Sequence, residues 1–330
     1  MIPLAALERR GHVVKRFIQR DSEPSISIDE LASYDVVHVY RLIVNDDDDY
    51  VNKLHEAGGL VSFDNDDDAS SVPAELWRAL MDDMQDEQVD DEWVRLVVRE
   101  YERTVELLPQ MDLVTTPSAV LAERFEAAGA QDVCVIDNYV PPEFLRIVPE
   151  GRPGFIIGWH AGREHCLDRD RLGLPQLLTE LLEEHPHLHV VSIGVDLGID
   201  SNRYTRVLGV PLTHLTNHVA DFDIGIAPLL DNEFGRARSS VKVREYAAAG
   251  VPWLASAAGP YLGLGEDEGG RLVADGAWPE ALERLIRSSL DRGRLRRRGK
   301  RWTRRNLIDR HVDEWETAFA SLVDAARSVA

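Results

Sequence analysis

Sulfur is scarce in this chain. It has two cysteines, Cys134 and Cys166, in 330 residues. They fall in separate strand and loop regions and offer no disulfide framework, which fits a reducing cytoplasm. Bases are also in short supply: 37 Lys and Arg against 58 Asp and Glu leave a net charge of −21. A phosphate backbone needs a basic face, so nucleic acid is not an expected partner. No apolar run approaches the roughly 20 residues that span a bilayer. Residues 1–12 lack the basic start and long apolar centre of a signal peptide, and read as a short amphipathic helix ending at Gly11. No Gly-x-Gly-x-x-Gly follows any candidate strand, which weighs against a dinucleotide-dependent dehydrogenase.

Hydrophobic residues are plentiful at 44%, enough to build real cores, and the length suits two ordinary domains. Short β-branched runs alternate with longer helical patterns. Candidate strands are Asp35–Leu42, Leu60–Asp64, Asp112–Thr116 and Val133–Ile136, then Phe155–Trp159, Leu188–Gly194, Asp223–Ala227, Pro252–Ser256 and Arg271–Val273. Helical stretches between them include Pro73–Leu108, Pro117–Ala128, Leu174–Glu184 and Ser240–Ala249. This alternation predicts an α/β protein with parallel sheets covered on both faces. Residues 141–153 hold four prolines and read as a hinge. The expected division is a Rossmann-like domain over 1–142, a second over 143–310, and a helix over 311–330 packing back toward the first. The chain opens on a helix where such a domain usually opens on a strand and glycine turn, so the first domain is expected to lack its first strand.

The most informative stretch follows the strand ending at Ala227. Arg236, Arg238, Lys242 and Arg244 crowd the start of a helix that Ser239 is placed to cap and Gly250 to stop. The macrodipole disfavours cations there by roughly 0.3–1 kcal/mol each. A bound anion would remove that cost and use the free backbone N–H groups. Arg238, Lys242 and Glu245 fall at i, i+4 and i+7 on one face, a plausible place for a diphosphate and a ribose. A solvated helix with Arg/Lys–Glu pairs accounts for the charges equally well.

Asp223-Ile224-Gly225-Ile226-Ala227-Pro228-Leu229, Arg238-Ser239-Ser240-Val241-Lys242-Val243-Arg244-Glu245 and Ala248-Ala249-Gly250-Val251-Pro252 together resemble the nucleotide-binding end of retaining GT-B glycosyltransferases of the "group 1" type. One subgroup carries Asp-Ile-Gly-Ile-Ala-Pro-Leu, then Lys/Arg-Ser-x-x-Lys-x-x-Glu, then Ala-x-Gly-x-Pro. The resemblance implies two Rossmann-like, doubly wound domains facing a cleft, the GT-B arrangement. It also implies transfer of a sugar from a nucleotide diphosphate donor with retention of configuration. Arg238 and Lys242 would contact the diphosphate, helped by the Ser239 and Ser240 amides, and Glu245 would hold the ribose hydroxyls. The family places a second Glu where this chain has Ala237, so the sugar-facing acidic role is either unfilled or taken by Asp231 or Glu233 in the loop.

Two further loops complete the expected site. Gly158-Trp159-His160-Ala161-Gly162-Arg163-Glu164-His165 follows a strand. Its glycines, Gly158 and Gly162, allow close backbone approach, and His160, Arg163 and His165 are candidates to reach phosphate or sugar. A zinc site from His160, His165 and Cys166 lacks a second ligand pair at suitable spacing. Phe63-Asp64-Asn65-Asp66-Asp67-Asp68 lies at a strand's C-terminal end, where open α/β sheets bind ligands. Asp64 and Asp66 either hold a divalent cation, as in GT-A enzymes, or line the acceptor side of the cleft. The second is preferred, because Arg238 and Lys242 already neutralise phosphates, so no metal and no cofactor are expected. Arg41 would sit at the same edge and Asn138 ends another strand near the hinge, while residues 46–49 and 82–92 read as solvated acidic faces. The nine bases of Arg292–Arg305 form either a helix face paired to nearby acids or a weak contact with an anionic membrane. The acceptor is left as a glycan, lipid or small molecule. A non-catalytic nucleotide- or glycan-binding protein on the same fold is the alternative.

Overall fold

A computed structural model describes residues 2–17, 26–40, 50–68, 71–73, 75–77, 91–147, 149, 151–152 and 154–329. Arg41, residues 46–49 and nearly all of the acidic 82–92 face lie outside them. Four strands form a first sheet: β1 (Val37–Tyr40), β2 (Val61–Asp64), β3 (Leu113–Thr116) and β4 (Val133–Val135), in that order and all parallel. Six more form a second: β5 (Phe155–Ala161), β6 (Leu188–Gly194), β7 (Tyr204–Val207), β8 (Ile224–Ala227), β9 (Trp253–Ser256) and β10 (Gly270–Val273). Their order is β10-β9-β8-β5-β6-β7, again all parallel. Each of the nine anticipated strands is present. The unanticipated one is β7, a polar edge strand with no apolar run. It is secured by Tyr204, whose hydroxyl lies 2.8 Å from Ser192 Oγ and accepts the Leu197 N–H at 2.9 Å.

Numbered within its own half, the second sheet runs 3-2-1-4-5-6, the doubly wound order. Its direction reverses between β5 and β8, where Gly158 sits opposite Gly225. Both glycines are there for packing. A Cβ on Gly158 would lie 2.1 Å from the Phe222 ring, and one on Gly225 2.7 Å from Tyr246. Loops leaving the C-terminal ends of strands at such a reversal enclose the natural ligand crevice. The two loops at this reversal follow Ala161 and Ala227.

The closing helix, Val312–Val329, returns to the first half. Val312, Trp315, Ala318 and Leu322 pack with Ala6 and Leu7 of the Ile2–Arg9 helix, and with Leu113 and Ile136. Trp315 and Phe319 close edge-on around His38 of β1, with ring centroids 5.6 and 5.5 Å away. Arg292–Arg305 lies within the Ser289–Arg305 helix. Arg294 and Arg298 bind Glu266 at 3.1 and 3.0 Å, and the Arg296 Nε–H donates to the Gly250 carbonyl at 2.8 Å. Those arginines serve the fold, while Arg297, Lys300, Arg301, Arg304 and Arg305 are exposed. Among the described residues no helix is long and apolar enough to cross a membrane.

Candidate active site

The loop after β8 does more than lead into a helix. Asn232 caps a short helix, Glu233–Ala237, its side-chain oxygen accepting the Gly235 N–H at 2.7 Å. Arg238 then breaks that helix with extended angles, φ −70° and ψ 171°. The main helix begins at Val241 with Ser240 as its cap residue, one position later than expected, and Ser240 makes no side-chain capping bond. Gly250 ends it at φ +75°. This two-helix turn holds Arg238, Ser239, Val241 and Lys242 on the wall of a cavity of about 280 Å³. The opposite wall comes from the first half: Asp66, Asp67, Val72, Leu76 and Trp77. The remaining lining includes Glu164, His165, Phe234 and Tyr261.

Charge in this cavity is closely balanced but unevenly paired. Arg238 stacks over the Phe234 ring at 5.0 Å and donates from Nη2 to Glu164 Oε1 at 3.2 Å, with Asp67 Oδ1 at 3.8 Å. Its Nη1 is buried with no hydrogen-bond partner among the described residues. Lys242 has no carboxylate within ion-pair distance among the described residues. Burial, and then the Arg238 charge, hold its ammonium below the usual lysine pKa. Burial would push the Glu164 carboxyl upward, but Arg238 and Lys242 together hold it below the usual range. Two cations at a helix start, with backbone N–H groups beside them, are suited to bind a diphosphate.

His165 lies deepest on this wall at 1% exposure. Its Nδ1 is 2.6 Å from Asp168 Oδ2, and Asp168 Oδ1 accepts the Leu230 N–H at 2.8 Å. Burial and the nearby Lys242 and Arg238 charges keep the imidazole neutral far below its usual pKa. Burial raises the Asp168 carboxyl to about 6.

Arg238, Lys242, Ser239, His165 and Asp66 thus share the cavity. Other expected members lie elsewhere. β5 runs two residues further than its apolar pattern suggests. It takes His160 into the interior, where Nε2 is 2.9 Å from Glu245 Oε2 and the ring meets Tyr246 edge-on at 5.2 Å. The His160–Glu245 contact is close but lacks hydrogen-bond alignment. Neither residue is among those lining the cavity. Gly158 is mid-strand against Phe222, not in a ligand-facing turn. Gly162 serves the loop instead: a Cβ there would come within 1.9 Å of the Glu164 carboxylate folded over it. Arg163 points to solvent. Ser240 is buried, and its Oγ accepts from Arg244 Nε at 3.0 Å. Asp64 accepts the Thr115 hydroxyl at 2.7 Å and does not line the cavity. Among the described residues, the side chains clustered tightly enough for a metal ion are Glu184, His185 and Glu283, none of them cavity residues.

Two of the four crowded cations are paired outside the cavity. Arg236 pairs with Asp231 at 2.7 Å on the surface. Arg244 crosses to the first half, binding Asp137 at 2.6 Å between the Tyr139 and Trp302 rings. Neither Asp231 nor Glu233 replaces the acid absent at Ala237; both are exposed outside the cavity. Ala237 is fully buried. The carboxylates actually present are Glu164, Asp66 and Asp67. Glu164 and Asp168 escaped the sequence reading, although Asp168 follows His165 by one helical turn, a spacing that puts the two side chains together.

No protein-family profile matches the chain, and no curated protein matches its sequence. Solved structures do match in shape. A variant of S. aureus TarM, solved with fondaparinux, alpha-GlcNAc-glycerol and UDP, has 10% identity and a TM-score of 0.55 over 79% of this chain and 51% of its own. The pneumococcal O-GlcNAc transferase GtfA, solved with UDP and GlcNAc, has 12% identity and a TM-score of 0.57, covering 82% of this chain and 55% of its own. A UDP-forming alpha,alpha-trehalose-phosphate synthase from Burkholderia xenovorans has 12% identity and a TM-score of 0.58 over 89% and 77%. The chain has the GT-B fold. It spans about half the length of TarM and GtfA, and identities this low carry the fold alone. In GT-B terms, the Arg238–Lys242 turn belongs to the second Rossmann-like domain and faces the first across the cleft.

Proposed function

We propose that this chain is a glycosyltransferase that moves a sugar from a nucleotide diphosphate donor to a sugar-containing or other hydroxylated acceptor. The observation that carries the reading is the cation pair Arg238 and Lys242, held at a helix start in a cavity between two GT-B domains. The likeness to proteins solved with UDP supports a nucleoside diphosphate as the anion. In this reading the bond from the anomeric carbon to the diphosphate breaks while the acceptor oxygen bonds to that carbon. Arg238, Lys242 and the amides at the helix start stabilise the departing diphosphate. The acceptor's proton leaves with a diphosphate oxygen, and transfer on one face retains configuration. The two cations do the neutralising that a divalent metal does elsewhere, so the reaction proceeds without one. Asp66 and Asp67 stand on the acceptor side.

Calorimetric titration of UDP, GDP and ADP against the wild type and Arg238→Ala tests the binding half. Loss of a charge-assisted phosphate contact weakens binding by about 10- to 100-fold. No binding of any of the three to the wild type would sink the proposal. Release of nucleoside diphosphate from sugar nucleotides, unaffected by EDTA, tests the catalytic half. A second reading, a nucleotide-binding protein without turnover, draws on Ala237, which leaves the family's acidic position sealed in the core. Binding with no turnover across acceptors selects it.

A further inference from the structure

His165 has a feature the diphosphate does not explain. It is 1% exposed and lines the cavity, yet its Nε2 is buried with no hydrogen-bond partner among the described residues. The other ring nitrogen is committed. Asp168 receives the Leu230 N–H on Oδ1, and its Oδ2 lies 2.6 Å from His165 Nδ1. A carboxylate that already accepts one N–H is best satisfied by accepting a second, so Nδ1 carries the hydrogen. Nε2 is then a lone pair, an acceptor and not a donor. Glu164 Oε1, the atom that also accepts from Arg238 at 3.2 Å, lies 3.8 Å from it. An unpaired acceptor buried beside a cation pair is costly unless a donor fills the gap. Phosphate oxygens have no hydrogen to offer at neutral pH.

We infer that His165 Nε2 accepts a hydrogen bond from a hydroxyl group of the bound substrate next to the diphosphate, and that Asp168 is the positioning residue that fixes the required tautomer. This rests on the glycosyltransferase reading. The hydroxyl belongs either to the donor sugar or to the attacking acceptor, and both are the same chemistry at Nε2. Leucine at 165 removes the acceptor, whereas glutamine can place its amide oxygen near the Nε2 position. Asp168→Asn acts without touching substrate. Its oxygen can keep the Leu230 N–H while its NH2 donates to Nδ1, driving the hydrogen onto Nε2 and turning the acceptor into a donor.

The test compares wild type, His165→Leu, His165→Gln and Asp168→Asn. Probes are UDP, UDP-glucose, UDP-N-acetylglucosamine, GDP and GDP-mannose, with binding measured by calorimetry and hydrolysis by nucleoside diphosphate release. Expected for both His165→Leu and Asp168→Asn is nucleoside diphosphate affinity within twofold of wild type, with a selective loss of roughly fivefold to tenfold. If the loss is in sugar-nucleotide affinity, the hydroxyl is the donor's. If it is in hydrolytic turnover at unchanged affinity, the O–H that Nε2 accepts is that of the attacking water, which stands where the acceptor's hydroxyl attacks. His165→Gln recovers most of either loss. Equal weakening of UDP and UDP-sugar, no change in sugar-nucleotide affinity together with no change in turnover, or a glutamine variant as impaired as leucine overturns the inference while leaving diphosphate binding intact. Failure of every nucleotide to bind the wild type removes the glycosyltransferase reading and this inference with it.

Discussion

Replacing Glu164 by glutamine should tighten nucleoside diphosphate binding. Among the cavity's side chains are two cations, Arg238 and Lys242, and three carboxylates, Glu164, Asp66 and Asp67. An anion therefore enters a site that already holds its own counter-charge. Glu164 is the carboxylate nearest Arg238, at 3.2 Å. At an effective dielectric of about 20, unit charges at that distance attract by about 5 kcal/mol. The Glu164 side chain is 38% exposed, so solvent screens much of this and leaves about 1–2 kcal/mol that a diphosphate must outcompete. Glutamine keeps the shape and an acceptor oxygen but gives up the charge. The expected result is a Kd for UDP, or for whichever of GDP and ADP binds best, about tenfold lower than wild type. In an Arg238→Ala background the same change should give little gain, because the competing pair is already gone. A Glu164→Gln protein that binds the diphosphate more weakly, or equally well, would falsify the competition and make Glu164 part of the ligand's own contacts.

Three other outcomes follow from named contacts. Lys242 sits below the usual lysine pKa because of burial and Arg238, so the free protein loses this proton at lower pH than an exposed lysine. Diphosphate affinity should fall as pH rises through that depressed value, before 10.5, and Lys242→Arg should hold its affinity across the same range in a calorimetric pH series. Arg244→Ala removes the Asp137 bond and two ring contacts, costing about 2–3 kcal/mol in urea unfolding, and should leave diphosphate affinity within twofold; a large affinity loss would place Arg244 among the ligand contacts. Burial lowers the His38 pKa from 6.5 to about 4, so the folded state binds fewer protons than the unfolded state between those values. Stability present above pH 6.5 is lost as pH falls toward 4, by up to about 3 kcal/mol, and His38→Leu should flatten that slope in urea unfolding.

The fold was largely legible because parallel strands buried on both faces announce themselves as apolar runs. β7 was not, since Tyr204-Thr205-Arg206-Val207 is a half-exposed edge whose stability comes from Tyr204 contacts distant from its own pattern. Arg238 and Lys242 were legible for a different reason: cations at a helix start violate a local rule, and such violations concentrate where a ligand or partner offsets them. Arg236 and Arg244 share that signal but are paired within the protein. Arg236 is satisfied by Asp231 five residues earlier, and Arg244 by Asp137 in the other half of the chain. Nothing local distinguishes a cation waiting for a ligand from one paired across a domain boundary. His160 was misplaced because the strand's last two residues look like loop. Glu164 could not be weighed until the backbone showed it folded over Gly162 onto Arg238.

Those pairings sharpen which charge a ligand must complete. Four cations precede or open the Val241–Ala249 helix, and each is met differently. Arg236 is neutralised in solvent, and Arg244 is neutralised and stacked at the domain boundary. Arg238 is neutralised by a carboxylate that solvent partly reaches. Lys242 alone has no ion-pair partner among the described residues, and it lies beside Arg238, which repels it. The macrodipole adds to the same imbalance at the helix start. An ammonium in that position can lower its energy by losing its proton or by gaining an anion. Its lowered pKa expresses the first route and diphosphate binding would supply the second. Proton uptake on binding is therefore the most direct reporter of the site. Titrations of the diphosphate across a pH series below 10.5, in buffers of different ionisation enthalpy, should show protons taken up by the wild type and fewer by Lys242→Arg. Equal uptake by the two proteins would move the responsible group away from Lys242.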